Sequence, residues 1–254
     1  MFGVIPKSLW QRVLPADDNN LIPIVTNLFV LTAHGKHFLF DAGLGDTLSE
    51  REARIYGITG DSAIESGLAS LGLQADDIDY VLLSHLHTDH AAGALRREGD
   101  RFVPRFPRAR HVVSRLDWQA ALDPDERTGA VYDPERYRDL HEAGLVDLID
   151  IATELFPGIR LVPTGGHTEG HYAIEIESDG ARLMSYADLF PMSQHLPVAW
   201  VPATDLAPRV TMSVKRQVLP RLCEDNVIIA FDHDAAMPFA RVRREGKRLV
   251  ADPA

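Results

Sequence analysis

Two periodicities share this chain. Short apolar runs that stop at glycine-containing turns alternate with stretches in which apolar residues recur every three to four positions. Ile24–Thr32 and Lys36–Asp41 read as strands around the turn Ala33-His34-Gly35. Tyr172–Glu177 and Arg182–Tyr186 repeat the arrangement around Ser178-Asp179-Gly180. An Asp-Gly between apolar runs is a strong hairpin signal, and the two hairpins lead to Asp41 and Asp188, so the halves of the chain echo each other. A helix capped by Asp61 should follow, with Ile64, Leu68 and Leu71 on one face and Gly72 as its stop. Tyr80–Ser84 suits a strand buried on both faces, and Ala91–Arg97 reads as a helix after it. Val112–Ser114, Leu145–Ile151 and Ile159–Pro163 are further strands, and Pro134–Ala143 is a helix with proline in its first turn. Val210–Leu222 is an amphipathic helix that Pro220 should kink or shorten. Val227–Phe231 is a last buried strand, running into Asp232-His233-Asp234. Strands and helices alternate without a linker, which predicts an α/β fold of two β-plus-α halves facing each other, as a single domain over 1–254.

Composition narrows the partners. Of 254 residues, 26 are basic and 37 acidic, a net charge of −11 that repels nucleic acid. The basic residues Arg241, Arg243, Arg244, Lys247 and Arg248 read as a solvated tail. No apolar run approaches the roughly 20 residues needed to span a bilayer, and the first residues do not read as a signal peptide. Cys223 is the single cysteine, so no intramolecular disulfide can form and a cytoplasmic location is expected. It should be a small buried apolar residue. The expected partner is a small-molecule substrate, and the N-terminal segment could be the arm of a homodimer.

The chemistry concentrates in Ser84-His85-Leu86-His87-Thr88-Asp89-His90-Ala91-Ala92-Gly93. Imidazole nitrogen and carboxylate oxygen suit Zn²⁺ and other first-row divalent ions. On extended backbone His85 and His87 point the same way, while Asp89 and His90 follow a change of direction, so one segment can feed two ions. More ligands are then needed. His167 lies in the glycine-rich turn Thr164–His171, Asp188 follows a hairpin strand, and His233 follows the last strand. Each is a ligand-type residue where a rigid sheet can aim it. His171 is a candidate to orient a ligand or to fix the Gly165-Gly166 turn. His34, His37, His111 and His141 fall outside the pattern and are expected at the surface or in satisfied structural roles.

The ordered set His85-x-His87-x-Asp89-His90, His167, Asp188, His233 resembles the metallo-β-lactamase superfamily, and Asp41-Ala42-Gly43 is similar to that family's early Asp-Thr-Gly-type turn. The resemblance implies an αββα sandwich, with His85, His87 and His167 on one metal, Asp89, His90 and His233 on the other, and Asp188 bridging. Redox members carry Glu where His87 stands, so His87 argues for hydrolysis and against a redox or sensor protein. Phe2-Gly3, Pro6-Lys7, Leu9-Trp10, Asp18-Asn19-Asn20 and Asp188-Leu189-Phe190-Pro191 through Trp200 resemble one branch of the quorum-quenching N-acyl-homoserine lactonases. That resemblance implies a two-metal hydrolase, most simply a zinc enzyme with Mn, Fe or Co as alternatives. It would open lactones or related esters by attack of a metal-bridging hydroxide, with Asp89 orienting it. Phosphotriester hydrolysis and glyoxalase II-like thioester hydrolysis use the same scaffold and remain alternatives. Phe190, His195 and Trp200 are candidates to line the substrate pocket. The best-known lactonases place a tyrosine shortly after the bridging aspartate; here Phe190 and Pro191 follow Asp188, so that role is absent or filled by another group such as His195.

Overall fold

A computed structural model describes residues 1–99 and 101–254. The chain forms two compact units, each with its own sheet. Leu28–Asp150 is the N-half unit, and Ile151–Ala254 together with Met1–Asn27 is the C-half unit.

The N-half sheet contains β1 (Phe29–Ala33), β2 (Lys36–Phe40), β3 (Tyr80–Leu82), β6 (Arg110–Ser114) and β7 (Val146–Ile149), hydrogen-bonded in that order. The strands β4 (Leu95–Glu98) and β5 (Arg101–Pro104) form a separate antiparallel pair. The β1–β2 hairpin is antiparallel, and His34 and Gly35 at its tip both have positive φ, 53° and 68°, as a type I′ turn demands. From β2 to β7 the pairing is parallel. Phe40 is therefore in register with Leu82, and the residues that follow each strand, Asp41 and Ser84, emerge at one carboxyl edge, where α/β sheets place their sites. The unit also holds α2 (Glu50–Tyr56), α3 (Ile64–Ser70), α4 (Thr88–Ala91), α5 (Arg115–Leu122) and α6 (Pro134–Glu142), after α1 (Lys7–Trp10) of the other unit.

In the C-half unit β8 (Thr153–Phe156), β9 (Ile159–Pro163), β10 (Tyr172–Ser178), β11 (Ala181–Ser185), β12 (Val227–Ala230), β13 (Phe239–Glu245) and β14 (Arg248–Pro253) form a seven-stranded sheet, ordered from β14 down to β8. The β10–β11 hairpin turns on Asp179 and Gly180, with φ of 50° and 79°. Only β11 and β12 pair in parallel, with Ser185 opposite Ala230. Asp188 and His233 each follow three residues later. Because β9 and β11 flank β10 antiparallel, β9 runs the same way, and His167 leaves at the same edge.

Several sequence expectations change. Ala91–Arg97 is not one helix: α4 ends at Ala91, a 3₁₀ turn covers Ala92–Ala94, and Leu95 begins β4, because the backbone there bonds across to β5. Strand β1 starts at Phe29 rather than Ile24. Helix α3 is preceded by Ala63, not Asp61, and Leu71 is exposed at its end. Pro220 does not break α7 (Pro208–Leu222); only two residues follow it, so one terminal hydrogen bond is lost rather than a continuing ladder. The basic C-terminal stretch is no tail but the hairpin β13–β14, with Ala240 and Val242 in the core. Cys223 is half-buried at the end of α7 rather than enclosed.

Candidate metal centre

In the N-half unit the segment after β3 is pinned before any metal is considered. Leu86 donates its N–H to Asp117 and its carbonyl accepts the Tyr137 hydroxyl at 2.9 Å. Thr88 binds the Val131 carbonyl through both its N–H and its hydroxyl. This holds His85, His87 and His90 as a packed, buried group, with ring centroids 4.5 Å apart for His85 and His87 and 4.1 Å for His85 and His90. The ligand atoms of His85 and His87, of His85 and His90, and of Asp89 and His90 lie within 4.8 Å of one another. Asp89 is the partly exposed member of the set, its Oδ2 4.0 Å from His90 Nε2. His87 packs its ring beside Tyr132, whose hydroxyl donates to Asp117.

Asp41 is the keystone. Its carboxylate accepts from the Ser84 N–H at 2.7 Å, the Ser84 hydroxyl at 2.8 Å and His90 Nδ1 at 2.8 Å. To do so it adopts φ of 51°, a conformation that aspartate tolerates better than most residues. The Ala42 and Gly43 amides then bind the His90 carbonyl, and the Gly93 amide binds Gly43. A Cβ on Gly93 would lie 1.9 Å from the Ala42 carbonyl oxygen, so only glycine allows this approach.

In the C-half unit the Thr164–His171 turn closes on itself. The Thr164 and Gly165 amides bind the His171 carbonyl, and His171 Nδ1 bonds the Thr164 hydroxyl, so His171 fixes the turn. His167 sits at its tip, wholly buried, with Nδ1 2.9 Å from Asp205 Oδ1. Asp205 also accepts from the Thr211 hydroxyl. His233 turns its Nδ1 to the Val25 carbonyl at 2.8 Å. The two outer nitrogens then converge on one carboxylate: His167 Nε2 is 3.1 Å from Asp188 Oδ2, and His233 Nε2 is 3.0 Å from Asp188 Oδ1. Ala187, just before it, has φ of 41°, a strained value for a residue with a Cβ.

A common rule runs through both units. His85, His90, His167 and His233 are each held through Nδ1, by Ser84, Asp41, Asp205 and Val25, which leaves Nε2 as the outward atom. Histidine ligands are fixed in this manner, the second nitrogen bonding a carboxylate, hydroxyl or carbonyl that sets the tautomer. The donor set is imidazole and carboxylate throughout and fits divalent first-row ions. In the C-half unit the roughly 3 Å between each Nε2 and its Asp188 oxygen is the spacing of two ligands about 2.0–2.2 Å from one ion.

Sequence reasoning did not single out Asp205 or Asp117, and it gave Asp41 no role beyond its turn. Of the three residues expected at a substrate pocket, only Trp200 keeps part of its surface open. Phe190 is fully enclosed in the C-half core, edge-on to Tyr186 and under the Lys215 ammonium. His195 is fully enclosed too, stacked on Phe2 with Nε2 3.0 Å from the Met1 carbonyl. Burial lowers its pKa to about 3, so the ring is neutral. His111 is not at the surface: it is buried, and burial lowers its pKa to about 4.

The model of the metallo-β-lactamase superfamily matches residues 21–223. The chain belongs to that superfamily. A probable metal-dependent hydrolase from Staphylococcus aureus superposes with a TM-score of 0.91 at 31% identity, covering 100% of this chain and 91% of that one. The N-acyl homoserine lactonase AiiA of Bacillus thuringiensis subsp. kurstaki is 25% identical over 219 residues, 81% of this chain and 80% of that protein. AidC, a dizinc quorum-quenching lactonase solved with a product, shares the fold with a TM-score of 0.74 at 19% identity, over 91% of this chain and 80% of its own. The protein therefore has the metallo-β-lactamase fold and is a metal-dependent hydrolase related to the quorum-quenching lactonases.

Proposed function

We propose that this superfamily member is a two-metal lactonase that opens N-acyl homoserine lactones or related lactones and esters. The observation that carries the reading is Asp188, whose two oxygens each face a different histidine nitrogen, as a carboxylate shared by two ions would. His85, His87 and His167 would hold one ion, Asp89, His90 and His233 the other, and Asp188 both. Zinc is the expected metal, since imidazole and carboxylate are its usual ligands, although Mn, Fe and Co accept the same donors. When bound, two such ions supply a nucleophile from water at neutral pH and a Lewis acid for the carbonyl oxygen.

The chain's own residues set the rest. Asp89, with 37% of its side chain open, would accept a hydrogen bond from the attacking water and so orient it. Asp41, Asp205, Ser84 and the Val25 carbonyl each engage Nδ1, which fixes the ring orientation and turns Nε2 outward as the ligating atom. The relatedness to AiiA, described as an N-acyl homoserine lactonase, supports the substrate class.

Proton release tests the reading directly, because opening a lactone yields a carboxylic acid. Metal-loaded protein is mixed with a long-chain N-acyl homoserine lactone, with His87→Ala as the pair. Release that the substitution reduces by about 10²-fold or more supports the proposal. A protein shown to hold two metals that releases no proton overturns the lactone assignment, and phosphotriesters and thioesters are then the substrates to profile.

A further inference from the structure

Away from the metal ligands, the C-half unit contains a cavity of about 590 Å³ between the segment Leu196–Val198, helix α7 and the β13–β14 hairpin. Its volume falls within the range of small-molecule sites, roughly 300–1,000 Å³. Leu196, Leu219 and Leu249 give it apolar walls. Arg216, Arg244, Lys247 and Arg248 surround them, and no acidic residue joins the lining.

The geometry gathers these charges for reasons visible in the sequence. Arg216, Leu219 and Pro220 are spaced three and four apart on α7, so they share a face. Arg244 lies two residues beyond Val242 and four beyond Ala240, on the strand face that is buried further along β13. It stands opposite Leu249 across the hairpin. Gly246, with φ of 59°, makes the tight turn that brings Lys247 and Arg248 back. The nearby acids Glu245 and Asp252 are engaged by Arg243. Among the described residues no carboxylate pairs with any of the four lining cations.

The wall is also built to stay in place. Buried Lys215 donates from Nζ to the carbonyls of His195 and Trp200, on either side of Leu196–Val198. Arg216, Arg244, Lys247 and Arg248 are all exposed at the rim, and in a chain of net charge −11 a cluster of four cations without an acidic neighbour in the lining makes a local positive field that attracts anions.

We propose that this cavity is a binding site for a free amphipathic anion, a single-chain carboxylate whose apolar tail lies on Leu196, Leu219 and Leu249 and whose headgroup meets the arginines and Lys247. The carboxylate matches the fork of an arginine, and the tail matches the apolar floor. The inference uses no metal ligand and stands apart from the lactonase reading.

Calorimetric titration of the metal-loaded full chain with decanoate tests it, with decanol and acetate as comparators and the surface variants Arg244→Glu/Lys247→Glu and Arg216→Glu. The site predicts saturable binding of one decanoate per chain, weakened about tenfold or more in each variant and for decanol, with none for acetate. Decanoate binding that both variants leave unchanged places the carboxylate elsewhere, at the metals for example, and overturns the proposal. So does binding no tighter than that of decanol. A chain that dimerises with rising concentration, loses that association in the variants and ignores decanoate would show the face to be occupied by a second copy, which also overturns it.

Discussion

Asp205 holds His167: its Oδ1 lies 2.9 Å from the imidazole Nδ1, and both side chains are fully buried. The bond fixes the tautomer that leaves Nε2 toward Asp188, 3.1 Å away. Asp205→Ala should therefore lower metal affinity by about 10–100-fold with little change in far-UV circular dichroism. Asp205→Asn, which can still accept from Nδ1–H, should lose far less. Metal titration of the two variants checks this, and equal losses would contradict an orienting role.

Asp41 combines a positive φ with three accepted hydrogen bonds, and the two features can be separated. Asp41→Gly relieves the backbone conformation but frees His90, so metal affinity should fall although the turn still forms. Asp41→Asn keeps a side chain that tolerates this conformation and can accept some of the bonds, and it should retain more affinity. If Asp41→Gly bound metal as well as the parent, the carboxylate would have no role beyond the turn.

Gly93→Ala should destabilise the fold strongly. The new methyl would stand 1.9 Å from the Ala42 carbonyl oxygen, a backbone atom fixed by its place in the turn, and a cost of about 3 kcal/mol or more is expected. Urea unfolding measures it; a loss under about 1 kcal/mol would mean that the Asp41–Gly43 turn yields easily.

Much of this was legible in the chain and some was not. The hairpins were readable because Asp179-Gly180 and His34-Gly35 need positive φ, a local property. His85 through His90 was readable because ligand-type residues crowd a strand end. Asp205 carried no such signal: it precedes α7 by three residues and meets His167 only through tertiary folding, 38 positions away. Within Ala91–Arg97, the residues Leu95–Arg97 read as helix from the sequence because their strand character comes from pairing with β5, not from their own periodicity. The basic C-terminal stretch looked solvated since its two inward residues, Ala240 and Val242, are small and sparse among the charges.

Stability should fall on acidification through two buried imidazoles. His111 titrates at about 4 and His195 at about 3, below the ordinary 6.5, because burial disfavours the charged ring. Between those values and 6.5 the unfolded chain binds protons that the folded chain does not, so stability rises with pH across this window and is lost as pH falls through it. His111→Leu should flatten the slope between pH 6.5 and 4, removing about 3 kcal/mol of pH dependence. Urea unfolding at a series of pH values tests this, and an unchanged slope would show that His111 is solvated when charged.

Metal stoichiometry tests the central claim most directly. After chelation and reconstitution with zinc, elemental analysis should find two ions per chain, and Asp188→Ala should reduce that number. A fully folded protein that takes up no ion, or that holds two ions equally well without Asp188, would contradict the account of a shared carboxylate at a two-metal centre.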